Sequence, residues 1–306
     1  MESSRPIMNP YAVILIAIIS ISMSAIFVRL ADSAAPVIAF YRLFFSVILL
    51  FPFFIWKYRA EVKLISRRDW CFSVLAGVFL ALHFILWFES LNYTSVASSV
   101  VLVTLQPLFA FIGTYIFFKE KLTLGAILSG ILAIVGSFII SWGDFQISGM
   151  ALLGDFLALV ACVMVTAYLL FGQDIRKRLS LITYTFIIYG IGSITLIIYI
   201  VLFKYSFQPV SQTDWVWFIL LAIFPTLLGH SLFNWALRWV STNIISMSIL
   251  LEPIGATILA YYILGESVLA TQIAGGIIVL LGISLFLLSA RKAKQLPFKK
   301  SKISFK

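Results

Sequence analysis

The chain has 306 residues, of which 62% are hydrophobic and only 11% are charged, and its mean hydropathy is +1.09. A soluble domain contains about 45–50% apolar and about 25% charged residues, so this composition excludes an ordinary soluble protein. The net charge of +10 is also found in nucleic-acid-binding proteins, but here the basic residues fall in loops and in the C-terminal tail. We therefore interpret them as determinants of topology and as contacts for anionic lipid, and we expect no nucleic-acid partner.

Ten apolar runs are long enough to cross a bilayer, which requires about 20 residues. The runs are continuous rather than alternating, which indicates helices instead of strands. They cover approximately residues 11–30, 36–56, 70–91, 95–118, 122–142, 150–172, 181–203, 214–238, 243–264 and 269–290. The predicted fold class is therefore an all-α integral membrane protein with ten transmembrane helices and no soluble domain.

The basic residues are distributed unevenly between the two sides of this topology. Nineteen Lys and Arg residues fall on the side that holds both termini, whereas only Arg29 and Lys204 fall on the other side. Because cytoplasmic loops carry the excess of basic residues, both termini are predicted to be cytoplasmic. The sequence thus predicts a multi-pass protein of the plasma (inner) membrane, with a basic cytoplasmic tail at 291–306.

The chain contains an internal repeat. Residues 91–136 align with residues 237–282 at a constant offset of 146 and without a gap. The identical pairs include Ser95/Ser241, Pro107/Pro253, Tyr115/Tyr261, Glu120/Glu266, Gly130/Gly276 and Gly136/Gly282. Each half holds an odd number of spans, so the five-helix repeats at 1–145 and 146–290 must have opposite orientations in the membrane. Such inverted repeats are typical of secondary transporters, whose site lies near the midplane where the repeats meet.

Three short motifs carry a family resemblance. They are Ser90-Leu91-Asn92-Tyr93-Thr94-Ser95, Gly154-Asp155-Phe156-Leu157-Ala158-Leu159, and Leu251-Glu252-Pro253 followed by Leu264-Gly265-Glu266. With the repeat and the span count, they resemble an EamA-type transporter of the drug/metabolite transporter superfamily. The first span departs from that pattern, because Met23-Ser24-Ala25-Ile26-Phe27 stands where the family has a Trp-Gly pair.

The resemblance implies a secondary transporter that alternates access around a central cavity. It places the third, fourth, eighth and ninth spans beside that cavity, together with the first and sixth. It also implies small polar metabolites, such as amino acids or related compounds, moved mainly outward. Uptake of a metabolite or of a nucleotide-linked cofactor remains an alternative, and coupling can be to protons or to the substrate gradient alone.

A proline lies about halfway along the fourth span and another along the ninth, at Pro107 and Pro253. Proline removes a backbone donor and frees the carbonyl four residues earlier. Non-helical backbone at this depth is tolerated where it is buried in protein or faces a water-filled cavity. The prolines therefore predict either breaks that line the cavity or kinks that only shape packing.

The residues before these prolines are Gln106 and Glu252. An acid near the bilayer centre costs about 2.5–3.5 kcal/mol. Glu252 is therefore predicted either to exchange a proton or bind a cationic substrate, or to form a hydrogen bond with a neighbouring helix. Gln106 is its uncharged counterpart in the first repeat, so a titration at this position would be confined to one half.

Two pairs of polar or aromatic residues have a spacing of four, which places each pair on one helix face. His83 and Trp87 lie in the third span, and His230 and Asn234 in the eighth. An imidazole beside an aromatic ring can hold a polar or cationic metabolite, but a histidine can equally be satisfied by the backbone of a neighbouring helix. Tyr168 is predicted either to face the cavity or to be an interface aromatic.

Two charges are predicted to lie close to the outer ends of their spans. Arg42 is about two turns from the external end of the second span, and Asp155 is similarly shallow in the sixth. Each can snorkel or pair with a nearby opposite charge. The functional alternative is a charged contact at the outer mouth of the cavity.

Catalysis receives little support from the sequence. It contains no Ser-His-Asp pattern, Walker loop, His-Glu-x-x-His helix or ligand-spaced cluster of His, Cys, Asp and Glu. We expect no catalytic residue, cofactor or metal, although an intramembrane enzyme and a scaffold or receptor remain alternatives. Glycines along the fifth and tenth spans predict close helix packing, or alternatively a dimer interface, so a monomer and a homodimer both remain open.

Overall fold

The computed structural model describes residues 6–141, 149–265 and 268–295, and every regular element within these ranges is helical. Ten membrane helices are found in these ranges, of which eight are long and apolar and two contain shorter apolar stretches. They are α1 (Pro10–Leu30), α2 (Ala35–Leu64), α3 (Arg67–Ser90), α4 (Val96–Val103 and Gln106–Phe118), α5 (Leu124–Ser141), α6 (Gly149–Ile175), α7 (Leu181–Leu202), α8 (Asp214–Ala236), α9 (Thr242–Leu264) and α10 (Ala270–Gln295). The predicted all-α, ten-helix fold is confirmed.

The helices pair as two inverted repeats require. Equivalent helices of the two halves meet, since α2 packs against α7, α5 against α10, and α4 against α9. The third helix of each half instead packs along the first helix of the other half, α3 with α6 and α8 with α1. The buried core therefore lies between the halves, and both contribute to any site at its centre.

Three helices are interrupted near their middle. The first break is at Met23 in α1, where Pro10–Ser22 ends before Ser24–Leu30 begins. In α4 and α9 the second segment begins at Gln106 and at Glu252, so each proline is the second residue of a new helical segment. Proline is well tolerated in a first turn, because its missing donor has no partner to lose there.

A π-helical segment in α8 accounts for a small irregularity in the repeat. The Asp-Trp pairs at Asp69 and Asp214 near the starts of α3 and α8 are separated by 145 residues, although the following residues repeat at 146. The second half thus holds one additional residue in this helix. Ala222–His230 is π-helical and contains Pro225, and a π-helix accommodates an additional residue without ending the helix.

The glycines of the fifth and tenth spans bring α5 and α10 close together. A Cβ added at Gly136 would lie 2.8 Å from the carbonyl oxygen of Gly275 and 2.8 Å from the backbone nitrogen of Val279. A Cβ at Gly282 would lie 2.7 Å from the Cβ of Ala133. These glycines therefore serve a seam inside the chain, as the packing interpretation expects.

Hydrogen bonds between loops define the two ends of the helix bundle. At one end, the 31–34 loop meets the 203–213 segment through Asp214, and Arg29 donates to the carbonyl of Leu91 at 3.1 Å. We call this end the Asp214 face.

The opposite end contains the last turns of α2 with residues 65–66 and the 119–123 and 176–180 connections, and we call it the Arg178 face. Here Glu61 accepts from Ser180, and Glu120 accepts from Gln173 at 2.8 Å. This is the face that the basic loops predict to be cytoplasmic. One of its arginines, Arg176, is fully buried and donates to the carbonyls of Asn234, at 2.9 Å, and Leu179, so it is an anchor between helices rather than an exposed loop residue.

Candidate functional site

A small cavity lies inside the protein where the two repeats meet. Its lining comes from α1, α3, α4, α6, α8 and α9, namely Ile21, Ser24, His83, Trp87, Val103, Gln106, Val165, Leu169, His230, Phe233, Ile249 and Glu252. The free volume is about 20 Å³. Such a space accommodates a water molecule but not a metabolite. The helices must therefore separate before a larger ligand can enter.

The helix breaks supply much of this lining. Val103 and Ile249, each four residues before a proline, both contact the cavity. Gln106 and Glu252 begin the segments that follow the breaks and contact it as well. Ile21 and Ser24 lie on either side of the break in α1. Interrupted backbone from both repeats thus converges on one point, as in many transporters with broken helices.

Glu252 is the acid of the cavity. Its side chain is 5% exposed, and within the described part of the chain its carboxylate has no hydrogen bond and no ion pair. The positive charge of Arg42 is near enough to attract it. Among the described residues, Glu252 therefore does not form the hydrogen bond to a neighbouring helix that was the alternative prediction. The repeat equivalent, Gln106, is also buried, and its Oε1 atom has no hydrogen-bond partner among the residues that the structure describes.

The two histidines approach each other across the cavity, with ring centroids 6.4 Å apart. His83 is anchored by a 3.1 Å hydrogen bond between Nδ1 and the carbonyl of Ala161, and its ring stacks on Trp87 at 5.7 Å. The backbone-bonded histidine that the sequence left open is thus found at His83, while the residue also lines the cavity. The indole nitrogen of Trp87 is buried, and no described residue forms a hydrogen bond with it.

Two of the predicted cavity residues lie behind the lining rather than in it. Tyr168 and Asn234 are both fully buried, and the Tyr168 ring lies 6.2 Å from His230. Neither side chain forms part of the cavity wall. They pack against residues that do, so an effect on a ligand would pass through His230 and its helix.

Arg42 differs from the expected charge at an outer mouth. Its side chain is 0% exposed, and it forms no ion pair with the described residues. The guanidinium donates to Thr226 Oγ1 at 2.9 Å and to Ser24 Oγ at 3.2 Å, and it lies 4.0 Å above the ring of Phe84. Arg42 therefore lies behind Ser24, beside the cavity. The charge is tolerated in this buried position because two hydroxyls and an aromatic face take the place of water around it.

Asp155 remains away from the cavity. It is 9% exposed and accepts a hydrogen bond from Thr94 Oγ1 at 3.0 Å on the Asp214 face. The adjacent Gly154 packs against the backbone of Ser90 and Thr94. The structure therefore gives Asp155 a role in fixing the start of α6 against the loop between α3 and α4.

Sequence reasoning missed one polar lining residue and the placement of another polar group. Ser24 lines the cavity because α1 breaks at Met23. The sequence does not predict this break, because neither proline nor glycine lies at it. Arg42 could be placed in a span by its position, but its bond to Thr226 depends on the π-helical segment of α8. Repeat periodicity alone does not reveal such a contact.

The site can surround a small polar molecule with both kinds of charge. Glu252 offers an acceptor without a partner, and Arg42 Nη2 and Trp87 Nε1 are buried donors without partners among the described residues. Unpartnered buried polar atoms are costly and occur at functional sites. The described residues hold no group of three His, Cys, Asp or Glu side chains able to hold a metal ion.

Comparisons with known proteins agree with this architecture. The model of the EamA-like transporter family matches residues 8–142 and 152–288, which correspond to the two halves. An uncharacterized transporter of Archaeoglobus fulgidus is 24% identical over 272 residues, covering 89% of this chain and 94% of its own. The uncharacterized transporter YxxF of Bacillus subtilis is 29% identical, covering 72% and 71%.

A relative with a named substrate and a solved structure are also similar. The riboflavin transporter ImpX of Fusobacterium nucleatum is 24% identical and covers 83% of this chain and 89% of its own. A crystal structure with 16% identity superposes with a TM-score of 0.73 and covers 93% and 98% of the two chains, a likeness that shows the fold. With matches in both halves, the chain belongs to the EamA-like transporter family of the drug/metabolite transporter superfamily.

Proposed function

We propose that this membrane transporter moves small polar metabolites, such as amino acids or related compounds, across the plasma membrane by alternating access and chiefly outward. Both termini would lie in the cytoplasm, where the basic loops and tail meet anionic lipid. The proposal includes no covalent chemistry on the transported molecule.

The observation that carries the proposal is the cavity between the repeats. Both halves line it, through helices broken near their centres, and several of its buried polar atoms have no partner among the described residues. A buried polar atom without a partner costs about 1–3 kcal/mol. A polar ligand would satisfy such atoms, which favours a substrate with several hydrogen-bonding groups over an apolar drug.

The charges support a substrate class. Glu252 lies on the cavity wall, and Arg42 lies behind Ser24 on the same wall. A molecule with an ammonium and a carboxylate group can be attracted by both charges at once. The small volume supports alternating access, since a closed site of this size must open to one side to load and to the other to release.

Reconstitution into liposomes tests the proposal. Purified protein would be offered a panel of labelled amino acids, nucleosides and cationic drugs, with and without a pH gradient, and counterflow would be measured. We expect saturable counterflow with at least one amino acid or related metabolite. The absence of accumulation and counterflow for every class would contradict transport of polar metabolites. Sidedness is tested by comparing efflux with uptake in cells that express the protein.

A second candidate is uptake of a larger aromatic metabolite. It is favoured by the likeness to a riboflavin transporter and by the Trp87 and Phe233 rings in the cavity wall. Such rings can stack on a flat heteroaromatic molecule. Adding riboflavin to the same panel distinguishes the two candidates, because counterflow with riboflavin and none with amino acids would favour the second.

A further inference from the structure

An acid at the start of α8 closes the Asp214 face. Asp214 is 0% exposed, and its carboxylate accepts from the backbone nitrogen of Asp32 at 2.9 Å and from Ser33 Oγ at 2.5 Å. The backbone nitrogen of Ser211 also donates to it, at 3.3 Å. Because Asp32 and Ser33 form the connection between α1 and α2, this one carboxylate ties the first repeat to the second.

A second acid, at the start of α3, closes the Arg178 face. Asp69 is 5% exposed and accepts from Arg178, with Nη2 at 2.5 Å and Nε at 3.1 Å from Oδ1. Arg178 belongs to the connection between α6 and α7. The N-cap residue Ser66 holds the same carboxylate at 2.8 Å and so fixes its direction. This contact again joins the two repeats.

The two contacts are equivalent in the duplicated fold. Asp69 and Asp214 each precede a tryptophan and stand near the start of the third helix of their repeat. Each contacts the connection between the first and second helices of the other repeat. Since the repeats are inverted, the equivalent contacts lie on opposite faces. Separation of α3 from the 176–180 loop would open one end, and separation of α8 from the 31–34 loop would open the other.

The chemistry of the two contacts differs. Asp214 is held by uncharged donors, namely two backbone nitrogens and the buried hydroxyl of Ser33, whereas Asp69 is held by an arginine whose side chain is 40% exposed. Arg178 also contacts Asp174 at 2.8 Å, and hydrogen bonds from the guanidinium to Asp174 and Asp69 raise the pKa of Arg178 above its ordinary value. The Arg178 face is therefore closed by ion pairs, and the Asp214 face by hydrogen bonds from uncharged donors to a carboxylate.

We propose that Asp69 and Asp214 are the positioning residues that set the sidedness of the transport cycle, each as the latch of one face. The inference rests on the proposed alternating access, because a latch has a role only if the cavity opens alternately. When one latch opens, the cavity faces that side while the other remains closed. Both latches are formed in this structure, which agrees with a cavity too small for a metabolite.

The experiment measures the side from which the cavity becomes accessible. In a C71A/C162A background, the lining residue Val165 is replaced by cysteine, and V165C is labelled with a membrane-impermeant maleimide in right-side-out and inverted vesicles. Native Cys71, exposed near the start of α3 on the Arg178 face, reports vesicle orientation in a parallel sample. The ratio of the two labelling rates gives the preference of the cavity for each face.

The latch variants should shift this ratio in opposite directions. D69N removes the charged partner of Arg178, and we expect the ratio to move about tenfold or more toward the Arg178 face. D214N presents an amide group to donors that need an acceptor, and we expect a similar shift toward the Asp214 face. R178Q and S33A, which remove the opposing groups, should reproduce the two shifts and so separate the effect from misfolding of a single variant.

Matched controls change charge nearby without touching a latch. D32N alters an exposed side chain, because Asp32 contacts Asp214 through its backbone nitrogen. R67Q alters an exposed arginine two residues before Asp69. Both should leave the ratio unchanged. Shifts in the same direction for both latch pairs, or none, would overturn the proposal while leaving alternating access intact. If V165C in the parent protein reacts from one face only, even with substrate present, alternating access itself fails.

Discussion

Glu252 is a buried carboxylate without a hydrogen-bond partner in the described part of the chain, beside a cavity large enough for a water molecule. The charged and titratable groups around it are Arg42, His83 and His230. Its position allows it to bind a proton, or the ammonium group of a substrate, as the cavity opens. We therefore propose Glu252 as the residue at which proton binding and substrate binding compete.

We expect E252Q to abolish the dependence of transport on the pH gradient while the protein remains folded, because glutamine cannot release a proton. The measurement is counterflow and gradient-driven flux in liposomes at several external pH values. E89Q is a matched control, since Glu89 bonds to Asn92 and Tyr93 near the Asp214 face and lies outside the cavity. An E252Q protein with the same pH dependence as the parent would remove Glu252 from coupling.

The buried position of Arg42 leads to a second prediction, which concerns the stability of the protein. In T226V the Nε atom of Arg42 loses its acceptor in a fully buried position, and we expect the free energy of unfolding to fall by about 1–3 kcal/mol. T195V is the control, because Thr195 Oγ1 donates to the carbonyl of Ile191 in its own helix and does not support a buried charge. Thermal unfolding in detergent measures both. Equal melting temperatures for the two variants would mean that the Thr226 bond contributes little.

Sequence reasoning reached the acids and aromatic rings of the cavity but not their surroundings. Glu252 and His83 stand out because charge and imidazole are rare in an apolar helix. The depth of Arg42 was misjudged, since its position suggested a mouth while Ser24 and Thr226 receive it in the interior. Side-chain direction near a helix break depends on local backbone geometry, which the residue pattern does not contain.

At the scale of helices, the seam between α5 and α10 offers a paired test of glycine. Gly136 lies in this seam, where an added Cβ meets backbone atoms of α10 at 2.8 Å. Gly276 of α10 instead faces α9, where an added Cβ meets Ile254 side-chain atoms at 3.6 Å or more. The two positions therefore separate close packing from the general preference of helices for alanine over glycine.

We expect G136A to lower the free energy of unfolding by about 1–3 kcal/mol, because two helix backbones must move apart. G276A should leave it unchanged or raise it by up to about 1 kcal/mol, because alanine favours the helix and finds ordinary contacts. Thermal unfolding of the two variants side by side gives the difference. A G136A protein as stable as G276A would show that α5 and α10 can move apart at little cost in free energy.

Helices and their order are predictable because hydrophobic length and charge asymmetry act over whole segments. The ten spans agree with the observed helices to within a few residues at most ends, although the second helix continues to Leu64, through residues predicted to be a polar connection. The π-helical turns at Ala222–His230 were not predicted. They arise from one additional residue, and an insertion inside an apolar run leaves no mark on its hydropathy.

At the scale of the whole molecule, the fold contains contacts that should move and contacts that should not. Ser33 and Asp214 meet across the Asp214 face, with 2.5 Å between Oγ and Oδ2. Thr123 and Ser289 meet at 2.7 Å where α5 and α10 run side by side. The first contact must break if this face opens, whereas the second lies at the end of a closely packed helix pair.

A pair of cross-links tests this difference. In the C71A/C162A background, oxidation of S33C/D214C should abolish counterflow and dithiothreitol should restore it, because a covalent bond holds one face closed. Oxidised T123C/S289C should retain counterflow. The extent of cross-linking is measured by mobility in gels after cleavage between the halves. Full transport by oxidised S33C/D214C would show that the face need not open at this contact.

The two cavity histidines are not repeat equivalents, and this has a consequence for how a ligand lies in the site. At the repeat offset of 146, His230 occupies the position of Phe84 rather than that of His83. The rings of His230 and Phe84 meet edge to face, with centroids 5.3 Å apart. At the same offset, Glu252 occupies the position of Gln106. Because both positions line the cavity, a ligand that is turned end for end would exchange an acid for an amide. The duplicated scaffold is nearly symmetric, but the site it encloses is asymmetric and favours one orientation of the ligand.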